Sequence, residues 1–539
     1  MTDIEIPVGK RTKAYRLFEI LPGALSITMI LLPVVLSLIN PLIGAGFVIV
    51  YIIAWLVKAV ATSYRTIQGY NTLQRAQKID WGSRLADLED PAEAAKERRY
   101  KGSWRAEVHE KNLEQLAITA QAKKPSDIYN AVIIAAYNES REIIEPTVEA
   151  IIAGDYDPKH IILTLAYEER GGADIEATAK ALQEKFQAKF HSFRIVKHPK
   201  DLPNEVVGKG GNITYAGKVL AVELDKEGFD PENIIVTTLD ADNRPHKTYF
   251  SYVTYEYLIH PEPRYVAFQP LALYTNNIWD VPAPMRVVAT GNSFFNIVLS
   301  LRPHLLRNFA AHSQGLASLV DMEFWSTRTI VEDGHQFWRS YFRYDGHYDV
   351  VPIYVPIFQD AVLSDTYKKT LKAQFIQLRR WAYGASDVAY VATRLFRRDR
   401  TVPLFDGVMK FLRLLEGHVS WASASVILLF GAWAPLFLSP DSARSIVAHE
   451  LPTVASVLQR IAMIGLFITV FLTFRLLPPR PERYKRRRTF WMLAQWLLMP
   501  VTSIAYGSAA AFTAQMRLLS GKYLDKFDLT EKAVVKDDA

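Results

Sequence analysis

The chain has 539 residues, half of them hydrophobic and 22% charged, with a formal net charge of +7. That length predicts roughly two to four domains, and the charge is too modest for a nucleic-acid binder; an anionic membrane surface or a phosphate-bearing ligand suits it better. The chain has no cysteine, which excludes a disulfide framework, a thiol nucleophile and a thiolate-held metal.

Mean hydropathy is near zero only because two populations average out. Leu21 to Ile39 is apolar and long enough for a bilayer core, which takes ~20 residues. Asn40 and Pro41 break it, and Leu42 to Val57 forms a second run, so a membrane hairpin is expected rather than a cleaved signal peptide. Three more runs lie at the far end: His418 to Leu438, Thr453 to Leu477 with Arg460 inside it, and Phe490 to Phe512 with Pro500 near its middle. "RPERYKRRR", Arg480 to Arg488, holds six bases and one acid, the pattern of a cytoplasmic loop. Ser439 to Pro452 has one Arg and two acids, as an outer loop should, and Lys10, Arg11, Lys13 and Arg16 place the N-terminus inside. Val60 to Glu416 is therefore expected in the cytosol. Because proline breaks helices and the tail carries Arg517, Lys522 and Lys526, residues Thr489 to Leu519 are expected to enter the bilayer, turn near Pro500 and return.

Residues Ala61 to Lys124 are charged and read as a helical collar. From Asp127 short apolar runs alternate with helical ones. "AVIIAA" (Ala131 to Ala136) precedes "EPTVEAIIAG"; "IILTLA" (Ile161 to Ala166) precedes Ala173 to Phe190; "FRIV" (Phe193 to Val196) and "NIIVTTL" (Asn233 to Leu239) follow. Alternation of this kind predicts βαβ units and a parallel sheet, with ligands bound beyond the carboxyl ends of the strands. Four loops then share one rim: "YNES", "YEER", "VVGKGGN" and "DADN".

Each loop has a plain reading. Asn138 and Glu139 suit a helix cap, Glu168 to Arg170 a surface ion pair, and Lys209-Gly210-Gly211-Asn212 a flexible turn. Asp240 and Asp242, one residue apart where a strand ends, suit a solvated turn; they also suit a divalent cation, since hard carboxylate oxygens hold Mg2+ or Mn2+ on substrate phosphates. Glu332 and Asp333 open an amphipathic helical stretch, where acids favour the helix dipole. "QLRRW", Gln377 to Trp381, lies in a basic, aromatic helix of the kind that rests on a membrane surface.

Taken in order, "AAYNES", "GKGGN", "LDAD", "VED" and "QLRRW" resemble the membrane-embedded family 2 glycosyltransferases, the group of cellulose, chitin and hyaluronan synthases. The resemblance covers roughly Asp127 to Tyr390. It implies an α/β GT-A (Rossmann-like) cytosolic domain with helical transmembrane segments at both ends, and inverting transfer from a UDP- or GDP-linked sugar to a growing glycan or glycolipid. It implies that Asn138, Glu139 and Glu168 line the nucleoside pocket and that Lys209 and Asp240 contact the nucleotide. Asp240 and Asp242 would hold Mg2+ or Mn2+, and Asp333, beside Glu332, would be the general base. Gln377, Arg380 and Trp381 would bind the diphosphate and the acceptor sugar. The chain departs from the pattern at Tyr167-Glu168-Glu169-Arg170, where the family is Asp-rich, leaving open which glutamate serves, and at Val331, where Thr is commoner. His312 in "FAAHSQG" is either an acceptor contact or a packed histidine. The expected partners are a nucleotide-diphosphate sugar, the acceptor glycan, membrane lipid and an export partner, with no nucleic acid. A catalytically inactive nucleotide-sugar-binding scaffold is the alternative.

The division expected from all this is 1–61 transmembrane hairpin, 62–125 collar, 126–345 catalytic domain, 346–417 interfacial helices carrying the Gln377 motif, 418–519 transmembrane region and 520–539 tail.

Overall fold

The computed structural model describes residues 4–7, 9, 11–97, 100–119, 123–438 and 446–524. Lys10, the start of the expected outer loop (439–445), Lys526 and all of the expected tail beyond Leu524 lie outside the described residues.

Asn40 punctuates the N-terminal pair of helices. It closes α1 (Lys13–Ile39), and its side chain accepts from Leu42 N at 2.9 Å to cap α2 (Pro41–Ala76), with Pro41 in the first turn where a missing N–H costs nothing. α2 runs beyond residue 61, because no breaker interrupts it before the collar. Among the described residues five helices are long and apolar enough to cross a membrane: α1, α2, Leu404–Phe437, His449–Leu476 and Arg487–Ser520. The collar is helical in short pieces and is anchored by Trp81, which stacks on Tyr252 with ring centroids 3.6 Å apart.

The middle of the chain forms one eight-stranded sheet in the order β3-β2-β1-β4-β7-β6-β8-β5. β1 (Tyr129–Ala136), β2 (Ile161–Glu168), β3 (Ser192–His198) and β4 (Ile234–Asp240) are the four expected strands, and they pair in parallel. β1, β2 and β4 are almost wholly buried, as strands covered on both faces must be. The other half was not legible. β5 (Arg244–Pro245) and β7 (Ser313–Gly315) are too short to show a period. β6 (Val266–Leu273) and β8 (Asp349–Phe358) carry prolines, and their parallel register slips at Pro270/Leu271. β8 lies in the stretch expected for interfacial helices, so the sheet continues past residue 345. The α/β Rossmann-like class with apolar helices at both ends is what the chain adopts.

The chain does not leave the helical state at Pro500. Residues 487–520 stay helical, with a 3-10 turn over Gln495–Leu498 and a π turn over Ser503–Ser508. Pro500 falls in the first turn of the helical piece Met499–Thr502, where the geometry has just been reset and proline is tolerated. Both ends of the run meet the α/β domain or its flanking helices. Arg488 donates to Trp279 O at 2.9 Å at one end, and Leu518 packs with Val331 and Tyr383 at the other.

Candidate active site

β4 carries Asp240 to the carboxyl edge of the sheet, opposite Ala135 of β1, while β1 in turn sets Ala136 opposite Tyr167 of β2. The loops after these three strands therefore share one rim. Asp240 is the last residue of β4, and its N–H donates to Asn243 Oδ1 at 3.0 Å, closing a turn. The two aspartates face different partners. Asp240 Oδ1 meets Lys209 Nζ at 2.6 Å, whereas Asp242, buried, accepts from Asp360 N at 3.2 Å and from Asn243 Nδ2 at 3.3 Å.

Lys209 is not on a flexible turn: it is the first residue of the helix Lys209–Lys226. Two packing facts explain the glycines beside it. A Cβ on Gly210 would stand 2.5 Å from Ser326 O and 3.1 Å from Glu332 Cβ, and one on Gly211 would stand 2.9 Å from Glu205 Oε2. Glycine here lets the helix Glu332–Arg343 approach the start of the Lys209 helix. Asn212 pins that start to the rim, donating to Ala136 O at 3.2 Å and Ala166 O at 3.0 Å. The helix N-terminus, aimed across the rim, suits an anion.

Glu332 and Asp333 occupy the first turn of their helix, and Asp333 Oδ1 accepts from Gly334 N at 2.9 Å. Burial, then the charge of Asp333, pushes the Glu332 carboxyl up to about 7, with Lys209 and Arg380 opposing. Asp333 is raised as well, chiefly by burial, with Lys209 pulling the other way. The Lys209 ammonium is raised despite burial, because Asp240, Glu332 and Asp333 surround it. One lysine thus faces three carboxylates.

The helix Tyr367–Ala382 brings the Gln377 motif to the same place. Trp381 lies against Tyr274 with ring centroids 6.1 Å apart, and Gln377, Trp381, Tyr274 and Asp360 line one small cavity. Arg380 acts electrostatically on Glu332, Asp333 and Tyr274. Tyr274 itself follows β6, and its hydroxyl is pushed above its ordinary value by burial and then by Asp240, Asp242 and Asp333. Tyr274 and Asp360 were missed from sequence because they follow β6 and β8, the proline-bearing strands.

The outer rim is less convergent. Asn138 is exposed, and Glu139 Oε2 accepts from Tyr137 N at 2.7 Å, closing its own loop. Of the two glutamates at the end of β2, Glu168 is the buried one: it pairs with Arg170 and lies 3.9 Å from His198 Nδ1. Glu169 instead accepts from Lys200 N at 3.1 Å. Gly171 lets the two loops touch, since a Cβ there would stand 1.7 Å from Tyr137 O. His312 is a packed histidine: Trp325 Nε1 donates to its Nε2 at 3.0 Å, its Nδ1 donates to Phe309 O at 2.9 Å, and burial lowers it to about 4.

Among the described residues no group of three or more His, Asp or Glu is placed to hold a metal ion. Asp240 and Asp242 offer hard oxygens at one rim, and an ion held there would take the rest of its shell from substrate oxygens and water, as Mg2+ and Mn2+ commonly do. The donor set fits such an ion.

No family model and no curated protein matches the sequence. Solved structures resemble the fold. A mannosyltransferase from Pyrobaculum calidifontis in complex with GDP-Man and Mn2+ is 15% identical, with 88% of this chain and 100% of that chain covered and a TM-score of 0.39. TarS residues 1–349 from S. aureus is 12% identical over 74% of this chain and 93% of that one, with a TM-score of 0.36. Glucosyl-3-phosphoglycerate synthase from Mycobacterium tuberculosis, with Mn2+, uridine diphosphate and phosphoglyceric acid, is 16% identical over 52% and 80%, with a TM-score of 0.28.

Proposed function

We propose that the protein is an inverting glycosyltransferase that moves a sugar from a UDP- or GDP-linked donor to a glycan or glycolipid acceptor at a membrane. The observation that carries this reading is the meeting, at one sheet edge, of an Asp240/Asp242 pair and Lys209 with a Glu332–Asp333 helix and the Gln377–Trp381 helix. In this reading the nucleoside lies over the Asn138, Glu139 and Glu168 loops. The diphosphate reaches the start of the Lys209 helix, and Asp240, Asp242, Lys209 and Arg380 surround it. Asp240 and Asp242 would hold Mg2+ or Mn2+, and the ion would supply Lewis-acid neutralisation of diphosphate charge. Asp333 takes the proton of the acceptor hydroxyl as that oxygen attacks the anomeric carbon, and the bond to the diphosphate oxygen breaks on the opposite face, inverting configuration. Lys209 and Arg380 stabilise the charge that collects on the leaving diphosphate. Trp381 and Tyr274 offer apolar faces on which a pyranose can stack.

The five long apolar helices support an inner- or plasma-membrane location, and the basic loop Arg480 to Arg488 supports a cytosolic α/β domain. The Gln377 motif supports processive addition, with an export partner receiving the product. The inactive-scaffold reading makes the opposite prediction in one assay. Purified protein is incubated with a panel of UDP- and GDP-sugars and nucleotide release is followed. Release with one donor supports transfer; binding without release from any donor, in the presence of membrane extract and Mn2+, supports the scaffold.

A further inference from the structure

Away from the rim, basic side chains gather where the membrane-type helices meet the α/β domain. Two contacts fix the geometry. A Cβ on Gly69 would stand 2.5 Å from Ile297 Cγ2, so α2 crosses the helix Ala283–Ser300 there, and Arg302 follows just beyond the end of that helix. Lys58 Nζ pairs with Glu416 at 2.5 Å, setting α2 beside the helix Leu404–Phe430. Arg65 lies seven residues from Lys58 and Arg413 three from Glu416, spacings that keep each on the face of its own helix that carries the pair. Arg65, Arg302 and Arg413 therefore gather at one junction of these helices, with His304 nearby.

The acids at this junction are already engaged. Glu416 holds Lys58, and Asp406 holds Lys410 and accepts from the Tyr341 hydroxyl at 2.8 Å. Arg307 is spread over the rings of Phe337 and Trp338, 4.0 and 4.8 Å from their centroids. The guanidiniums of Arg65, Arg302 and Arg413 make no hydrogen bond or ion pair with any described residue. The crowding is felt: Arg302 is lowered by burial and then by Arg65 and Arg413, and His304 by burial and then by Arg413, Arg302, Lys410 and Arg307.

Depth supplies the ligand class. The apolar run of α2 ends at Val57, and the next begins at His418. At ~1.5 Å per residue, Arg65 and Arg413 lie about 8–12 Å past those ends, the level of lipid headgroups. We propose that Arg65, Arg302 and Arg413 form a binding site for the phosphate group of an anionic lipid headgroup, distinct from the sugar-transfer rim. Three neighbouring guanidiniums offer planar donors that suit phosphate oxygens and gain from neutralisation.

The test uses the full-length protein in neutral detergent. Its thermal midpoint is followed as short-chain phosphatidylglycerol, phosphatidylcholine or inorganic phosphate is added. Phosphatidylglycerol is expected to raise the midpoint by about 2 °C or more, as a ligand that binds only the folded state does, and phosphatidylcholine is not. The double variant Arg302→Gln/Arg413→Gln is expected to lose that response, whereas Arg486→Gln/Arg487→Gln, in the basic loop, keeps it. If the double variant does not fold, as judged by its midpoint in phosphatidylcholine, the exposed single change Arg413→Gln is read in the same way. The proposal is overturned if phosphatidylcholine works equally well or if the Arg302/Arg413 variant keeps the full response. An equal response to inorganic phosphate makes the source free phosphate and removes the lipid.

Discussion

Lys209 Nζ and Asp240 Oδ1 stand 2.6 Å apart, joining the start of a helix to the end of a central strand. The pair is half-open, with Lys209 11% and Asp240 35% exposed, so solvent screens part of its strength. Lys209 also faces Glu332 and Asp333, and removing it leaves three carboxylates without their shared cation. Lys209→Met is expected to weaken nucleotide-sugar binding about 10- to 100-fold, the loss of one charged hydrogen bond. Titration calorimetry with the preferred donor would measure it, and unchanged affinity would separate Lys209 from the diphosphate.

In the proposed reaction Asp333 is the base, because it is half-buried whereas Glu332 is packed away beside Gly210. Asp333→Asn is expected to retain donor binding while turnover falls by about 10²–10⁴, the usual worth of a general base. Near-normal turnover would move the base elsewhere.

Chelation addresses the aspartate pair. EDTA is expected to abolish turnover and Mn2+ or Mg2+ to restore it, while Asp242→Ala, which removes a buried carboxylate oriented by Asp360 N, is not rescued by either ion. Full activity in chelator would return Asp240 and Asp242 to the status of a turn.

The raised carboxyl of Glu332 has a stability cost with a definite sign. Its ordinary value is 4.5 and in the fold it stands at about 7, so between those values the native state binds the extra proton. Stability therefore falls as pH rises from about 4.5 to 7, and the penalty is complete above that window. Glu332→Gln removes the titration. Its thermal midpoint relative to the unsubstituted protein is expected to be higher at pH 8 than at pH 5, by scanning calorimetry at both; a difference independent of pH would contradict the assignment.

Residues 4–7 are strapped onto the helix that carries Asp333. Glu5 pairs with Arg339, 1% exposed, at 2.7 Å and accepts from Ser326 Oγ at 2.6 Å, while Tyr390 donates to Ile4 O at 2.7 Å. Ser326 O in turn faces Gly210. Glu5→Ala leaves a buried guanidinium without its acid and is expected to cost about 3 kcal/mol, seen as a lowered denaturation midpoint. Combining it with Arg339→Met should recover part of the loss; full additivity would mean the pair is not coupled.

The sequence by itself determined the elements whose signal is local. Continuous apolar runs announced β1 to β4 and the long apolar helices; Asn40-Pro41 announced the break between α1 and α2. Asp240 at a strand end and Glu332 and Asp333 at a helix start also lie where the local pattern put them. Only the tertiary structure decided how they meet. β6 and β8 carry prolines that hide their period, so Tyr274 and Asp360 had no local signal. The glycines after Lys209 read as a turn, but their reason is the approach of the Glu332 helix, a contact across more than a hundred residues. Proline breaks an ideal helix, but around Pro500 a 3-10 turn before it and a π turn after it let the chain stay helical. Local pattern specifies conformations; long-range packing selects among those it leaves open.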